Sequence, residues 1–228
     1  MRTAAILPVK SFDRAKQRLG AGVPDRLRLA LARAMVADVL AALSCVDAVE
    51  LTIVVTREPQ AAHTAAERGA TVLADPGETG QSAAASLGVR HALDHGFARV
   101  LLVPGDCPAL DPAELDTLLA GHGSAGPQVA ILPDRHGTGT NGLLLAPPDA
   151  IEPSFGAGSC ARHRELARAA GMPCRVAALR STSLDVDTVE DLAALRSALS
   201  AVPAAAPNTR AVLAAQDEGG AFAIASHA

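Results

Sequence analysis

The chain of 228 residues has no tryptophan and no tyrosine, and aromatic residues make up only 2% of it. Its core must be built from alanine, valine, leucine and isoleucine. The rings on which single-stranded nucleic acids stack are missing. An excess of positive charge is missing too. Twenty basic residues stand against 24 acidic ones, for a net charge of −4. Binding to a phosphate backbone relies on clustered Lys and Arg, so no nucleic-acid partner is expected. No apolar run reaches the roughly 18 residues of a membrane span. The opening MRTAAILPVK is broken by Pro8 and Lys10 too early for a secretory signal. A cytoplasmic protein with no membrane partner is expected. The four cysteines (Cys45, Cys107, Cys160 and Cys174) show no CxxC spacing, so neither a zinc site nor a disulfide framework is suggested. GxSxG, GxxxxGK[ST] and a strand-linked GxGxxG are also absent. Serine-hydrolase, P-loop and dinucleotide readings fall away with them.

What is present is 49% hydrophobic residues in a length that suits one large α/β domain. The stretch RVLLVPGDCPAL, residues 99–110, organises the reading. Its apolar run is stopped by Pro104-Gly105, and one carboxylate, Asp106, follows at once. This predicts a buried parallel strand that presents an acid at its carboxyl edge, where open α/β sheets bind ligands. Asp111, Pro112 and Glu114 then read as the N-cap, N1 and N3 of a helix. Asp106 is left without a structural task.

In order, residues 3–9 predict a central strand, apolar on both faces. Residues 10–23 form a loop with Lys10, Arg14, Lys16 and Arg18 against the single acid Asp13. Such a run is often a solvated surface, but this one leaves the end of the first strand. A helix over 25–44 follows, capped by Asp25, with Leu27, Leu31, Met35, Val39 and Leu43 on one stripe. Strands are predicted at 51–56 and 71–74, with a helix over 59–68 between them. The loop DPGETG, residues 75–80, leads into a helix over 81–95 and is either a phosphate or ribose cradle or a plain turn. Residues 128–132 and 141–146 predict two strands paired as a hairpin around PDRHGTGT. SFGAGS, residues 154–159, runs into a helix over 160–170. A last strand at 174–179 and a helix over 188–199 complete the pattern. Residues 201–228 are rich in alanine and proline and predict a poorly ordered tail with at most a weak helix near 209–216. The chain thus divides into a domain at 1–200 and this tail. Alternating strands and helices make the fold class α/β, a three-layer sandwich.

Right-handed crossovers gather the basic loop, residues 75–80 and Asp106 on one rim. Lys and Arg bind phosphates, and Mg is usually held by one or two acids plus substrate phosphates. Both together suit a nucleoside triphosphate. A second anion has two candidate cradles. One is Gly137-Thr138-Gly139-Thr140, otherwise an ordinary turn. The other is Gly156-Ala157-Gly158-Ser159 at a helix start, where Ser159 is also a plausible N-cap. Asp185 and Asp187 are either site acids or caps of the last helix. His136 and His163 flank the second-anion region, where a charge role is open. His91 and His95, at i and i+4, lack the third ligand a metal site needs and read as a surface pair.

At this point the residues resemble a known family. ILPVKSFDRAKQRL, VPGDCPAL, ILPDRHGTGTNGLLLAPP, PSFGAGSCARHRELA and SLDVDTVEDL stand in the order and spacing of the 2-phospho-L-lactate and phosphoenolpyruvate guanylyltransferases of coenzyme F-420 biosynthesis. GDCP is shared with many nucleotidyltransferases; the GTGTN and FGxGS runs together are far more specific. The resemblance spans residues 2–199. It implies a nucleotide-diphospho-sugar-transferase-like (glycosyltransferase A type) fold with a mostly parallel mixed sheet. It implies Lys10, Lys16 and Arg18 as catalytic residues near the phosphates of GTP, and Leu7, Pro8, Gly80 and Ser82 at the nucleotide. Gly80-Gln81-Ser82 stands where relatives commonly carry Gly-Leu-Asn. The resemblance implies Asp106 and Asp187 as Mg ligands, and Thr140, Gly156 and Ser159 on phosphoenolpyruvate or 2-phospho-L-lactate. A hand-over of the product to a downstream transferase is also implied. The alanine-rich, lysine-poor composition fits the actinobacterial members and favours phosphoenolpyruvate. Two other readings stay open: a glycosyltransferase using Asp185-Val186-Asp187 as its DxD motif, and a non-catalytic nucleotide-binding domain.

Overall fold

The computed structural model describes residues 1–14, 19, 23–121, 126–202 and 204–225. Lys16 and Arg18 lie outside the described residues. Seven strands form one sheet: β1 (Thr3–Val9), β2 (Leu51–Thr56), β3 (Thr71–Ala74), β4 (Arg99–Leu102), β5 (Gln128–Pro133), β6 (Thr140–Ala146) and β7 (Cys174–Val176). Their spatial order is β3-β2-β1-β4-β6-β5-β7. β6 runs antiparallel to both neighbours, and every other pairing is parallel. The mostly parallel mixed sheet expected of the fold class is what forms. The predicted hairpin forms too, with a register irregularity at Leu132/Pro133. The expected last strand is shorter than its apolar stretch: β7 stops at Val176, exposed at the sheet edge.

The helices are α1 (Asp25–Leu43), α2 (Pro59–Glu67), α3 (Gln81–Asp94), α4 (Pro112–Ala120), α5 (Ser159–Ala169), α6 (Val189–Ala201) and α7 (Pro207–Ala225). Successive strand residues point to opposite faces, and the buried residues sort accordingly. Ala5, Leu7, Val54, Leu101 and Leu144 pack with α1, α2 and α4. Ala4, Ile6, Ile53, Leu102 and Leu143 pack with α3 and α5. These are the three layers. Gly88 lets α3 lie against β1, since a Cβ there would stand 2.5 Å from Ile6 Cγ2.

α1 is buried on two sides. Val36, Val39 and Leu43 face the sheet, while Leu27, Leu31 and Met35 face Leu192, Leu195 and Leu199 of α6 and Leu213 of α7. Its N-cap is Pro24, not the expected Asp25, whose carboxylate instead accepts from Arg28 within the first turn. α7 contains the weak helix expected near 209–216 and extends beyond it. Small apolar residues suffice to seat it on α1, because Asp38, buried in the middle of α1, accepts hydrogen bonds from the first turn of α7. Composition alone does not reveal that partner.

Candidate active site

Several chain segments converge on a cleft of about 590 Å³ at the carboxyl end of the central strands. That volume suits a small-molecule site. The first segment leaves β1, whose Pro8 and Lys10 line the cleft. Carboxylates from the next two crossovers hold the backbone beyond them. Glu78 Oε1 accepts from the Ser11 amide at 2.5 Å, and Glu58 Oε2 accepts from the Phe12 amide at 3.0 Å. Glu78 has a positive φ of 42° and is itself positioned by its amide, which donates to Asp75 Oδ1 at 3.0 Å. Asp75, Glu78 and Gly80 also line the cleft, so the DPGETG loop is one of its walls.

The second segment follows β4. Pro104, Gly105 and Asp106 line the cleft, together with Asp185 and Asp187. The Asp106 carbonyl accepts from the Val186 amide at 3.2 Å, which ties the two acidic stretches together. Neither Asp185 nor Asp187 caps α6. That task falls to Thr188 and Asp191 in a reciprocal capping box. Asp191 also accepts from the Asp187 amide at 3.0 Å and pairs with Arg135 at 2.6 Å. Asp185 is held by Asn141, whose Nδ2 donates to Oδ1 at 3.0 Å. Burial raises the Asp185 pKa above the usual carboxylate range, the Asn141 bond opposes this, and the charges of Asp106 and Asp187 raise it further. Among the described residues no three His, Cys, Asp or Glu side chains form a metal cage by themselves. Hard carboxylate oxygens that share one wall and feel one another's charge do fit a cation completed by phosphate oxygens.

The third segment joins the start of β6 to the start of α5. Thr140, Gly156 and Ser159 all line the cleft. The Cys160 amide donates to the Thr138 carbonyl at 3.1 Å and locks the two loops together. Ser159 is the first helical residue, not the cap. The cap is Gly158, at a φ of 69° where a side chain would be strained. Ser159 Oγ is buried and has no hydrogen-bond partner among the described residues. Arg162 bonds the carbonyls of Ser154, Phe155 and Ala157. Those oxygens are thus taken up before an anion enters, and the helix N-terminus behind them favours negative charge. The charge role left open for His163 finds no support: the side chain is fully buried, and burial together with the nearby Arg162 lowers its pKa to about 4.

Pro8, Lys10, Gly80, Asp106, Thr140, Gly156, Ser159 and Asp187 therefore share one cleft. Two expected nucleotide residues do not line it. Leu7 points into the α1 side of the core, and the Ser82 hydroxyl accepts from the Phe155 amide at 2.8 Å. Asp75 and Glu78 belong to the DPGETG loop expected on this rim, and Asn141 to the GTGTN run, although none of the three is assigned a role by the sequence. Similarly, Glu114 does not close a capping box with Asp111; it accepts from the Ser181 amide at 3.0 Å.

Comparison with known proteins agrees with this architecture. A structure from Desulfovibrio desulfuricans G20, assigned to the nucleotide-diphospho-sugar transferases, superposes with a TM-score of 0.75 over 96% of both chains at 21% identity. A protein named phosphoenolpyruvate guanylyltransferase from Conexibacter woesei is 49% identical over 93% of this chain and 96% of its own. One named 3-phospho-D-glycerate guanylyltransferase from Phenylobacterium zucineum is 37% identical over 82% of this chain and 86% of its own. The family model described as Guanylyl transferase CofC like matches residues 3–197. The chain belongs to this guanylyl transferase family.

Proposed function

We propose that the protein transfers GMP from GTP to the phosphate of phosphoenolpyruvate and releases pyrophosphate, as a step toward coenzyme F-420. The observation that carries this reading is the pairing, in one cleft, of an acid-and-lysine half with a hydroxyl-and-amide half. Two polyanions need two such cradles. Kinship with a protein named for the same reaction at 49% identity supports the choice of acceptor.

In this reading Lys10 contacts the phosphates of GTP, with Lys16 and Arg18 from the same loop. Gly80 and the β1 end at Pro8 border the nucleotide. Asp106 and Asp187 would hold a Mg ion, which supplies charge neutralisation on the triphosphate when bound. Thr140, Gly156 and Ser159 receive the acceptor. A phosphate oxygen of the acceptor attacks the α-phosphorus of GTP. The new P–O bond forms as the bond from the α-phosphorus to the bridging oxygen breaks, and pyrophosphate leaves with that electron pair. A phosphate monoester has its second pKa near 6, so this nucleophile is ionised at neutral pH and needs no general base. The neutral, fully buried His163 agrees with that economy. What remains for the protein is alignment and charge neutralisation. The product, a mixed phosphoanhydride, suits transfer to a downstream enzyme.

The relative named for 3-phospho-D-glycerate gives a second acceptor to consider. Pyrophosphate release from GTP and Mg should be measured with phosphoenolpyruvate, 2-phospho-L-lactate and 3-phosphoglycerate in turn. Fastest release with phosphoenolpyruvate is expected. No release with any of the three would overturn the reading.

A further inference from the structure

Thr140 lines the cleft, and the residue bonded to its hydroxyl decides what that hydroxyl can offer a ligand. His163 Nδ1 lies 3.1 Å from Thr140 Oγ1. On the other side of the ring, the Ser154 backbone amide donates to His163 Nε2 at 2.9 Å. A backbone amide only donates, so Nε2 must carry its lone pair and the ring proton must sit on Nδ1. The Nδ1–H then donates to Thr140 Oγ1. A hydroxyl that accepts there keeps its own proton for another acceptor. Among the described residues, no protein group is recorded as taking that proton. The Phe155 ring meets the imidazole edge-on, with centroids 5.3 Å apart, and fixes the ring plane.

We propose that His163 is a positioning residue of the acceptor subsite: by donating from Nδ1 to Thr140, it turns the threonine hydroxyl into a hydrogen-bond donor aimed at the acidic group of the incoming phospho-acid. The inference rests on the reading of the cleft given above. It assigns His163 no proton transfer and no contact with substrate. A charged imidazole would present an N–H to the Ser154 amide, and the low pKa guards against that state. The buried Ser159 Oγ, unpartnered among the described residues and belonging to a residue that lines the same cleft, is the second hydroxyl available to that ligand.

Three measurements test this on the full chain. Nitrogen NMR of the imidazole at neutral pH should show a protonated Nδ1 and an unprotonated Nε2; the opposite tautomer overturns the proposal whatever the substrate. In steady-state kinetics, His163→Phe should raise KM for phosphoenolpyruvate by about tenfold or more, with KM for GTP within twofold of wild type. His163→Asn, whose amide nitrogen replaces Nδ1 as a donor, should recover most of that loss and also serves if the Phe variant folds poorly. Finally, His163→Phe should add little in a Thr140→Val background, because the hydroxyl it positions is gone. Equal rises in both KM values, additive effects, or an Asn variant no better than Phe would each overturn the assignment. A wild-type enzyme inert toward all three acceptors would instead fail at the function itself, before any variant is compared.

Discussion

Asp38 holds Thr209 at two points across 171 positions of sequence: Oδ2 accepts from the Thr209 amide at 2.8 Å and from its hydroxyl at 2.7 Å. Oδ1 takes the Asn208 amide and side chain in the same way. A carboxylate in the middle of α1 thus caps the first turn of α7, a helix to which it does not belong. Negative charge is favoured at a helix N-terminus, and four donors satisfy a carboxylate that is only 3% exposed.

Asp38→Ala should therefore release α7. Alanine is the better helix former within α1, so any loss comes from the docking. The expected cost is about 2 kcal/mol in urea unfolding, a typical outcome of losing bonds to a buried charge. Limited proteolysis should cut the variant before α7 while wild type resists.

Asp106→Asn should lower guanylyl transfer by about 100-fold or more, the scale seen when charge stabilisation at a reacting phosphate is removed. The fold should survive, since the bond that ties Asp106 to Val186 uses the backbone carbonyl. Pyrophosphate release at saturating Mg, set beside a thermal melt, checks both halves. Near-normal transfer would remove Asp106 from the site.

Arg162→Lys should separate the two halves of the cleft. The guanidinium reaches three carbonyls from one planar fork, and a lysine cannot reproduce that geometry. With those oxygens released toward the cleft, KM for the acceptor should rise about tenfold and KM for GTP should stay put. Initial rates with each substrate varied in turn provide the comparison.

Acid should weaken the fold through His163. Its pKa is about 4 when folded against about 6.5 when unfolded. Between these values the unfolded chain binds a proton that the folded one does not, so stability falls as pH drops from about 6.5 toward 4, by at most about 1.4 kcal/mol per pH unit. Asp191 behaves differently. Its pKa is depressed, with the Thr188 and Asp187 bonds and Arg135 outweighing desolvation. Its contribution is present above the ordinary carboxylate range and is lost only at still lower pH. Urea titrations at pH 7, 6 and 5 should show the loss in wild type and a flatter profile in His163→Asn.

Much of this was legible in the chain. The strand at 99–102, the acid after it and the GTGTN hairpin follow from apolar runs and their stops, which are local signals. The cap of α4 at Asp111 was legible for the same reason. What stayed hidden depends on partners distant in sequence. Glu78 holding Ser11, Glu114 holding Ser181 and Asp38 holding Thr209 join segments at least 67 residues apart. Local pattern cannot announce such a bond. Ser82 likewise is expected at the nucleotide, yet its side chain lies outside the cleft lining, and its hydroxyl accepts from an amide 73 residues away.

The reversed direction of β6 has a consequence for how acceptor preference can change over time. The parallel strands bring their carboxyl ends to the cleft, whereas β6 brings its amino end. In the proposed reading the nucleotide half is gathered from scattered segments after β1, β3 and β4 and before α6, and the acceptor half is drawn from one uninterrupted run, residues 134–163. Substitutions within that run can retune one substrate while the other stays fixed. A family whose members carry the names of different three-carbon acids but one nucleotide is what such a division of labour would produce.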